Sequence, residues 1–204
     1  GISNVVLSGG VTANVKLNQR IFEVHGVEQL FVYPNMGDGG CGTGAALYIS
    51  QHGQVQPTIE NAYFGPDYSE QDMLSALEEA GLQAERPENL AASVAALINE
   101  GQVVARFDGR MEYGPRALGN RSIMYHAREP EVNQWLNKRL GRTEFMPFAP
   151  VTLFEARERC YHNIAGAEHT AEFMTVTFDC TEFMRENCPA AVHVDGTARP
   201  QLIK

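Results

Sequence analysis

The sequence predicts an α/β (α+β) fold, because short apolar segments typical of strands alternate with glycine-rich turns and helical segments. This alternation occurs twice in the first 50 residues, each time in the order strand, glycine-rich turn, helix. With 204 residues, the chain can bury one good core or two small ones. Its composition, with 44% hydrophobic residues and no apolar run near the ~20 residues that span a bilayer, is typical of a soluble globular protein.

The first block supplies the two predicted strands of this alternation, Val5–Leu7 and Leu30–Tyr33. Thr12 has the side chain of an N-cap and is predicted to begin a helix that runs to about residue 24. The second glycine-rich turn leads into an apolar helix over 45–50. Both turns precede helices, whose N-terminal N–H groups can hold phosphate.

The later part of the chain mixes helices and strands in a less regular order. An acidic amphipathic helix is predicted over 69–80 with Ser69 as its N-cap, in a segment that we interpret as a connector or small subdomain. The stretch 143–150 is predicted to be extended between its prolines. Further helices are predicted over 88–100, 131–140 and 154–162, and further strands over 102–107, 122–125, 173–178 and 190–194.

Charge is unevenly distributed along the chain. The formal net charge of −9 argues against a broad nucleic-acid or membrane-surface contact. Between Arg106 and Arg142, however, there are eight Lys/Arg and four Asp/Glu, which gives this segment a net charge of +4. A cationic segment in an acidic protein suits a small anionic ligand, and it is too short for a nucleic-acid track.

The N-terminus and the cysteines bear on where the protein is found. The N-terminus lacks the charged and then apolar layout of a signal peptide. The four cysteines show no spacing typical of a metal site, and we interpret them as reduced thiols: Cys41, Cys160, Cys180 and Cys188. These observations predict a cytoplasmic protein without a membrane partner, and they leave a homodimer open.

The segment Gly109–Ser122 places Arg116 and Arg121 among three glycines and Pro115. Glycine lets the backbone approach a ligand or adopt positive φ, and proline fixes φ just before the first arginine. The guanidinium is a planar donor fork that suits phosphate and carboxylate oxygens. This pattern predicts an anion-binding loop; the alternative is a solvated surface loop with ordinary arginines.

The two glycine-rich turns of the first block are further candidate sites. Gly9 and Gly10, followed by Asn14 and Asn18, could cradle a nucleotide phosphate at a helix N-terminus. Asp38 stands among glycines, where its carboxylate could bind Mg²⁺ or join histidines on iron or zinc, or could cap the following helix.

Three acidic residues lie near the cationic segment and are candidate acid/base groups by position only. For each of them we favour a role as an arginine partner: Asp108, Glu112 and Glu144.

Four blocks, in this order, resemble those of the NodU/CmcH family of carbamoyltransferases. They are 8–18, 37–46, 109–122 and Pro147-Phe-Ala-Pro150, and the resemblance runs through nearly the whole chain. It implies an N-terminal domain of the actin/sugar-kinase superfold and a C-terminal YrdC-like domain with a mixed sheet. On this pattern, residues 1–55 are the end of the kinase-like domain, 56–86 a connector and 87–204 most of the YrdC-like domain.

The resemblance also implies a reaction and roles for individual residues. Such enzymes bind carbamoyl phosphate and ATP, with Mg²⁺, and form a carbamoyl-adenylate. The carbamoyl group then passes to the hydroxyl of an acceptor at a site with a metal such as Fe²⁺. Gly9, Gly10 and Asn14 would lie at the nucleotide, and Asp38 would be a metal ligand. Five basic residues would hold the phosphates: Arg116 and Arg121, helped by Lys138, Arg139 and Arg142.

Two departures from the family pattern limit these expectations. Many relatives have a basic residue before the Pro-Phe-Ala-Pro element, where this chain has Met146, so the alignment of Lys138–Arg142 is ambiguous. The chain also looks like a piece of a longer one. The metal-binding histidines of relatives would lie before Gly1, and their C-terminal segment would follow Lys204. We therefore expect the 204 residues alone to bind phosphate-type anions weakly and not to turn over.

Two alternative functions stay open from the sequence. A sugar- or acetate-kinase-like phosphotransferase accounts for the first 50 residues but not for Gly109–Ser122. A non-catalytic module that binds nucleotide or an RNA phosphate backbone is the other alternative, and the acidic balance argues against RNA.

Overall fold

The computed structural model describes residues 3–50, 58–141 and 148–204. Arg142, Glu144, Met146 and most of the stretch predicted to be extended lie outside the described residues. The described strands are β1 (Asn4–Leu7), β2 (Gln29–Val32), β3 (Val104–Phe107), β4 (Arg121–Met124), β5 (Val151–Leu153), β6 (Phe178–Asp179), β7 (Thr197–Ala198) and β8 (Gln201–Ile203).

The helices of the described residues are mostly short. The α-helices are α1 (Val15–Phe22), α2 (Gly39–Ser50), α3 (Glu70–Glu79), α4 (Leu90–Asn99), α5 (Glu131–Arg139), α6 (Arg157–Cys160), α7 (Glu168–Ala171) and α8 (Glu182–Asn187). Three single 3₁₀ turns accompany them, at Gly10–Ala13, Phe154–Ala156 and Pro189–Ala191.

The chain divides into two compact units. Unit 1 takes its described residues from Gly1–Ala62, Gly114–Arg116 and Ala127–Lys204. Unit 2 consists of Tyr63–Tyr113 and Ala117–His126. We call the segment Gly109–Ser122 the glycine-rich loop. Three of its residues, 114–116, therefore belong to unit 1, whereas Arg121 belongs to unit 2.

Unit 1 contains three two-stranded sheets and the main core. Strands β1 and β2 pair in parallel, from Asn4↔Gln29 to Leu7↔Val32, as do β5 and β8, whereas β6 and β7 are antiparallel. The core joins β2 to α7, β6 and α8, so both ends of the chain contribute to it. Its members are buried apolar side chains that include Val32, Met36, Ala171, Val176, Phe178, Cys180, Met184 and Leu202.

Unit 2 is built on the antiparallel pair of β3 and β4, with Phe107 opposite Arg121. The connection between these strands carries the glycine-rich loop. Helix α3 begins with a reciprocal capping box, in which Ser69 and Asp72 each accept a hydrogen bond from the other's backbone N–H. The Asn89 side chain caps α4 in the same unit.

The predicted α/β class is confirmed by this mixture of helices and parallel and antiparallel strands. Several predicted elements are wrong, however. The predicted helix 154–162 is a 3₁₀ turn followed by the short α6, and α2 begins at Gly39, six residues earlier than predicted. In place of the strand predicted over 173–178, only Phe178 is in a strand, and 190–194 begins with a 3₁₀ turn. In these two stretches, backbone carbonyls accept hydrogen bonds from side chains: the Thr175 carbonyl from Asn18 Nδ2, and the Ala190 carbonyl from Asn133 Nδ2.

Gly166 offers a test of the packing in unit 1. Its φ is +93°, and an added Cβ would lie 2.0 Å from the Glu28 carbonyl oxygen. Gly26 has nearly the same φ, +94°, with nothing within 4 Å of an added Cβ. We expect Gly26→Ala to lose about 1 kcal/mol of unfolding free energy from strain alone, and Gly166→Ala to lose about 3 kcal/mol or more.

Chemical denaturation of the two variants and the unchanged chain measures both losses. Equal losses for the two variants would contradict the close approach of Gly166 to the Glu28 carbonyl.

Candidate anion-binding site

Arg116 lies in unit 1 against the turn that follows β1. Its Nη2 donates to the Ala13 carbonyl at 3.3 Å, although the two residues are 103 positions apart. Its Nε is buried and has no hydrogen-bond partner, and no carboxylate among the described residues pairs with the guanidinium. Burial lowers the pKa of Arg116. A partly buried charge is less costly when it is paired, so this arginine is suited to an anion from outside the described residues.

The turn beside Arg116 is held in shape by its own hydrogen bonds. Gly9 has a φ of 105°, and its N–H donates to the Met36 carbonyl at 2.7 Å. The Thr12 hydroxyl donates to the Gly9 carbonyl at 2.7 Å. Gly9 and Gly10 are exposed, and nothing lies within 4 Å of a Cβ added to either. The two glycines therefore leave the turn open to a ligand.

Asn14, and not Thr12, caps α1. Its Oδ1 accepts from the N–H groups of Lys16 and Leu17 at 3.1 and 3.0 Å. The prediction of Thr12 as N-cap is wrong, because Thr12 lies inside the preceding 3₁₀ turn. The structure thus brings four of the predicted nucleotide and phosphate residues into one unit, around one helix N-terminus: Gly9, Gly10, Asn14 and Arg116.

Asn18 is not exposed beside this turn, as a residue that binds a ligand directly would be. It is fully buried, and its Nδ2 donates to two backbone carbonyls. The suggestion that it could cradle a phosphate is therefore wrong.

Arg121, in unit 2, holds the loop between β3 and β4. Its Nη1 donates to the carbonyls of Asp108 and Asn120, both at 2.8 Å, and its Nη2 donates to the Gly109 carbonyl at 3.1 Å. The guanidinium also lies 3.7 Å from the centre of the Phe107 ring. Three of its five N–H donors are thereby used, and a role in anion binding stays a prediction.

Glu112 anchors the same loop through backbone groups. Its Oε1 accepts from the N–H groups of Leu118, Asn120 and Arg121 at 2.7, 2.7 and 3.2 Å. Burial would raise the pKa of Glu112, but hydrogen bonds from these groups and from its own N–H outweigh burial and lower it.

We predicted that the acidic residues near the cationic segment pair with arginines, and the outcome differs between Glu112 and Asp108. For Glu112, the bonds that the structure shows go to backbone N–H groups, which a charge pattern in the sequence does not reveal. Asp108 pairs with Arg106 at 2.6 Å, which lowers its pKa, and there the expectation is confirmed.

Asp38 is exposed and directly precedes α2. Gly40 lies in the first turn of this helix, where an added Cβ would be 2.1 Å from the Asn35 carbonyl oxygen, so the helix start approaches the preceding turn closely. Among the described residues there is no group of three or more His, Cys, Asp or Glu side chains that could hold a metal. The described part of the chain does not form a metal site by itself, and the role of Asp38 as one ligand stays a prediction.

Two of the remaining predicted basic residues lie at the end of α5. Lys138 and Arg139 are exposed in its last turn, and the Arg139 guanidinium is 5.7 Å from the centre of the Trp135 ring. The structure does not test whether either contacts a phosphate, and Arg142 lies outside the described residues.

A polar cluster beside α1 was missed from the sequence. Lys16 pairs with Asp195 at 3.0 Å, and Asp195 also binds the His193 ring and the Thr197 hydroxyl at 2.9 and 2.6 Å. Burial would raise the pKa of Asp195, but these hydrogen bonds outweigh it and hold the pKa well below its usual range. In the sequence, only the His193-x-Asp195 spacing indicates this cluster, and weakly. The partner of Asp195, Lys16, lies nearly 180 residues away in the chain.

Two family models match the chain. The model described as Carbamoyltransferase C-terminus matches residues 95–204, which is more than half of the chain, and Carbamoyltransferase N-terminus matches residues 1–47. The chain belongs to the carbamoyltransferase family. The resemblance predicted from the four sequence blocks is confirmed.

Relatives of this chain come from bacteria and an archaeon. MJ1058 of Methanocaldococcus jannaschii is 34% identical over 213 residues, and Nodulation protein NolNO of Sinorhizobium fredii is 34% identical over 215. Nodulation protein U of Rhizobium fredii is 31% identical over 205 residues. Each match covers 100% of this chain and 34%, 31% and 33% of the relative, respectively. The chain thus spans about a third of the length of these relatives.

Among the described residues, no helix is both long enough and apolar enough to cross a bilayer.

Glu112→Gln tests the anchoring of the loop through its pH dependence. Folding lowers the pKa of Glu112 from its ordinary value of 4.5, so its stabilisation is present above that value and is lost as the pH falls through the folded value. We expect the variant to be about 1–2 kcal/mol less stable than the unchanged chain at pH 7, because a charged acceptor of backbone N–H groups is lost. The difference should shrink below about pH 4.5.

Denaturant unfolding at pH 7, 5 and 4 measures this difference. Glu78→Gln, an exposed substitution of the same charge on α3, is the matched control and should change little. A stability difference for Glu112→Gln that does not vary with pH would rule out the ionised carboxylate as the anchor.

Proposed function

We propose that the chain is part of an O-carbamoyltransferase that activates carbamoyl phosphate with ATP and transfers the carbamoyl group to a hydroxyl. The proposal rests on the match to both carbamoyltransferase family models. The single structural observation that carries it is Arg116, a half-buried arginine beside an open glycine turn, whose Nε is buried without a hydrogen-bond partner and which has no carboxylate partner among the described residues.

The site suits a phosphate better than a neutral ligand. The N-terminus of α1 favours negative charge, and the open turn at Gly9 and Gly10 lets a phosphate approach the backbone. Arg116 would add a charge-assisted hydrogen bond through Nε. We place a phosphate of ATP or of carbamoyl phosphate there, with Asn14 fixing the helix end.

Such chemistry asks the protein mainly for positioning and charge neutralisation. In the proposed activation, water cleaves carbamoyl phosphate to carbamate and inorganic phosphate. A carbamate oxygen then forms a bond to the α-phosphorus of ATP as the bond from this phosphorus to pyrophosphate breaks, and pyrophosphate leaves. Negative charge on the phosphate oxygens is then met by fixed cations and backbone dipoles, so no protein nucleophile is required. In addition to Arg116, four basic residues are proposed to contact the phosphates: Arg121, Lys138, Arg139 and Arg142.

The proposed reaction also involves metal ions and an acceptor. Mg²⁺ would accompany ATP, and Asp38 would be one ligand of Fe²⁺ or another divalent metal, with the other ligands supplied from outside the described residues. The acceptor is proposed to be a hydroxyl of a small molecule or saccharide.

The proposal extends to the compartment, the assembly and the domain organisation of the protein. The four free cysteines support a reducing compartment such as the cytoplasm. A homodimer remains compatible with the chain. The domain boundaries near residues 55 and 87 also remain a proposal, as do the actin/sugar-kinase-like and YrdC-like folds.

The two rival functions have less support. The C-terminus family model covers the loop at 109–122, which a kinase-like phosphotransferase leaves without a role. The net charge of −9 speaks against an RNA-binding module, and RNA binding with a steep salt dependence would favour it again.

Arg116→Ala tests the proposal. We expect it to weaken binding of carbamoyl phosphate or ATP by about 10- to 100-fold, the loss that follows from removing a charged hydrogen bond. Calorimetric titration of the 204-residue chain measures the affinity. The activation of carbamoyl phosphate is tested on the full-length natural protein, by measuring the exchange of pyrophosphate into ATP that depends on carbamoyl phosphate.

Arg20→Ala is the matched control for this variant. It removes the same charge from an exposed position on α1, where Arg20 pairs with Glu23, and should leave binding and exchange unchanged. Exchange by Arg116→Ala at the rate of the unchanged protein would overturn the role given to Arg116.

A further inference from the structure

A buried polar bridge connects the Gly9–Ala13 turn to the core of unit 1. Asn18 is 0% exposed, and its Nδ2 donates to the carbonyls of Thr12 and Thr175, both at 2.7 Å. An amide nitrogen has two hydrogens, so both are used in these bonds. The Thr12 carbonyl, inside the turn, is thereby tied to a residue 163 positions later in the chain.

Thr175 is itself fixed by further buried bonds. Its hydroxyl donates to the Thr170 carbonyl at 2.9 Å and lies 3.0 Å from the Thr170 hydroxyl. The Thr170 hydroxyl accepts from the Val32 N–H at 2.8 Å, at the end of β2. Both threonines are 0% exposed. We call Asn18, Thr170 and Thr175 the Asn18 bridge; it joins the turn, α7 and β2.

The backbone beside the bridge is strained. Met174 has a φ of +56° and is only 7% exposed, so a residue with a large side chain adopts the left-handed region inside the core. Such conformations persist only where the surroundings determine them, and they cluster at functional sites. Here the strained residue directly precedes Thr175, whose carbonyl accepts from Asn18.

The bridge is also not optimised for stability alone. Asn18 Oδ1 is buried and has no hydrogen-bond partner among the described residues. A buried acceptor without a partner costs free energy, which an apolar side chain of similar size would avoid. What asparagine adds at this position is direction, because its two N–H donors bind two particular carbonyls, those of Thr12 and Thr175.

We infer that Asn18 is a positioning residue for the anion site. By holding Thr12, it sets the turn next to Ala13, whose carbonyl accepts from Arg116. This inference rests on the proposed function, since it assigns to Asn18 the geometry of the site in which a phosphate is proposed to bind. Asn18 itself does not contact the ligand.

Asn18→Leu tests this inference, because leucine is similar in volume and has no donors. We expect binding of ATP to the folded variant to weaken by about tenfold or more, because the turn loses the hydrogen bond at Thr12 that ties it through Asn18 to Thr175. ATP affinity is measured by calorimetry, and the unfolding free energy of the same samples is measured with denaturant. A purely structural role would change stability and leave the affinity of the folded protein unchanged.

Thr152→Val is the matched control. The Thr152 hydroxyl is 2.7 Å from the Tyr161 hydroxyl, and Thr152 is 7% exposed in the same unit, away from the Asn18 bridge. This variant should lose stability and keep the ATP affinity of the unchanged chain. If Asn18→Leu does not fold, Thr175→Ala takes its place, and it should weaken ATP binding about threefold by loosening the acceptor of Asn18.

The outcomes separate this inference from the proposed function. If the unchanged chain binds ATP and the folded Asn18→Leu or Thr175→Ala variant binds it equally well, the inference is overturned and the proposed function stands. If neither ATP nor carbamoyl phosphate binds the unchanged chain, the proposed phosphate site fails, and the role of Asn18 fails with it.

Discussion

The hydrogen bond from Arg116 to the Ala13 carbonyl joins the glycine-rich loop to the first turn of the chain, and the candidate site depends on it. The loop can approach only because Gly114 has a φ of +122° and an added Cβ would lie 3.2 Å from the Pro34 carbonyl oxygen. At that position the guanidinium is partly desolvated and lacks an acidic partner among the described residues. This arrangement supports the proposal that an anion from outside the described residues binds here.

Polar groups inside the core determine the shape of this site as much as the glycines do. The Asn18 bridge fixes the turn from the protein side, and Asn14 satisfies the N–H groups at the start of α1. In unit 2, Glu112 and Arg121 fix the other part of the loop through backbone N–H and carbonyl groups. One glycine-rich sequence thus contains residues with two kinds of role: Arg116 keeps an unpartnered donor, whereas Arg121 uses three donors on its own loop.

Features that depend on neighbouring residues were predictable from the sequence. Ser69 caps α3 as expected, the strands around 102–107 and 122–125 form, and the first two strands exist close to their predicted bounds.

Features that depend on distant residues were not predictable. Thr12 and Asn14 are both good N-cap residues, and packing decides between them. The apolar segment 173–178 looks like a strand, but Thr175 instead bonds to Thr170 and Asn18. The loop pattern and the family resemblance both suggested Arg116 as a site residue, but its contact with Ala13 appears only in the structure.

The most direct measurement of the central claim is a structure of the protein with ATP and carbamoyl phosphate bound. The account predicts a phosphate oxygen about 2.7–2.9 Å from Arg116 Nε, beside the exposed backbone of Gly9 and Gly10. A structure in which the ligands are bound and Arg116 Nε contacts no phosphate oxygen would contradict it.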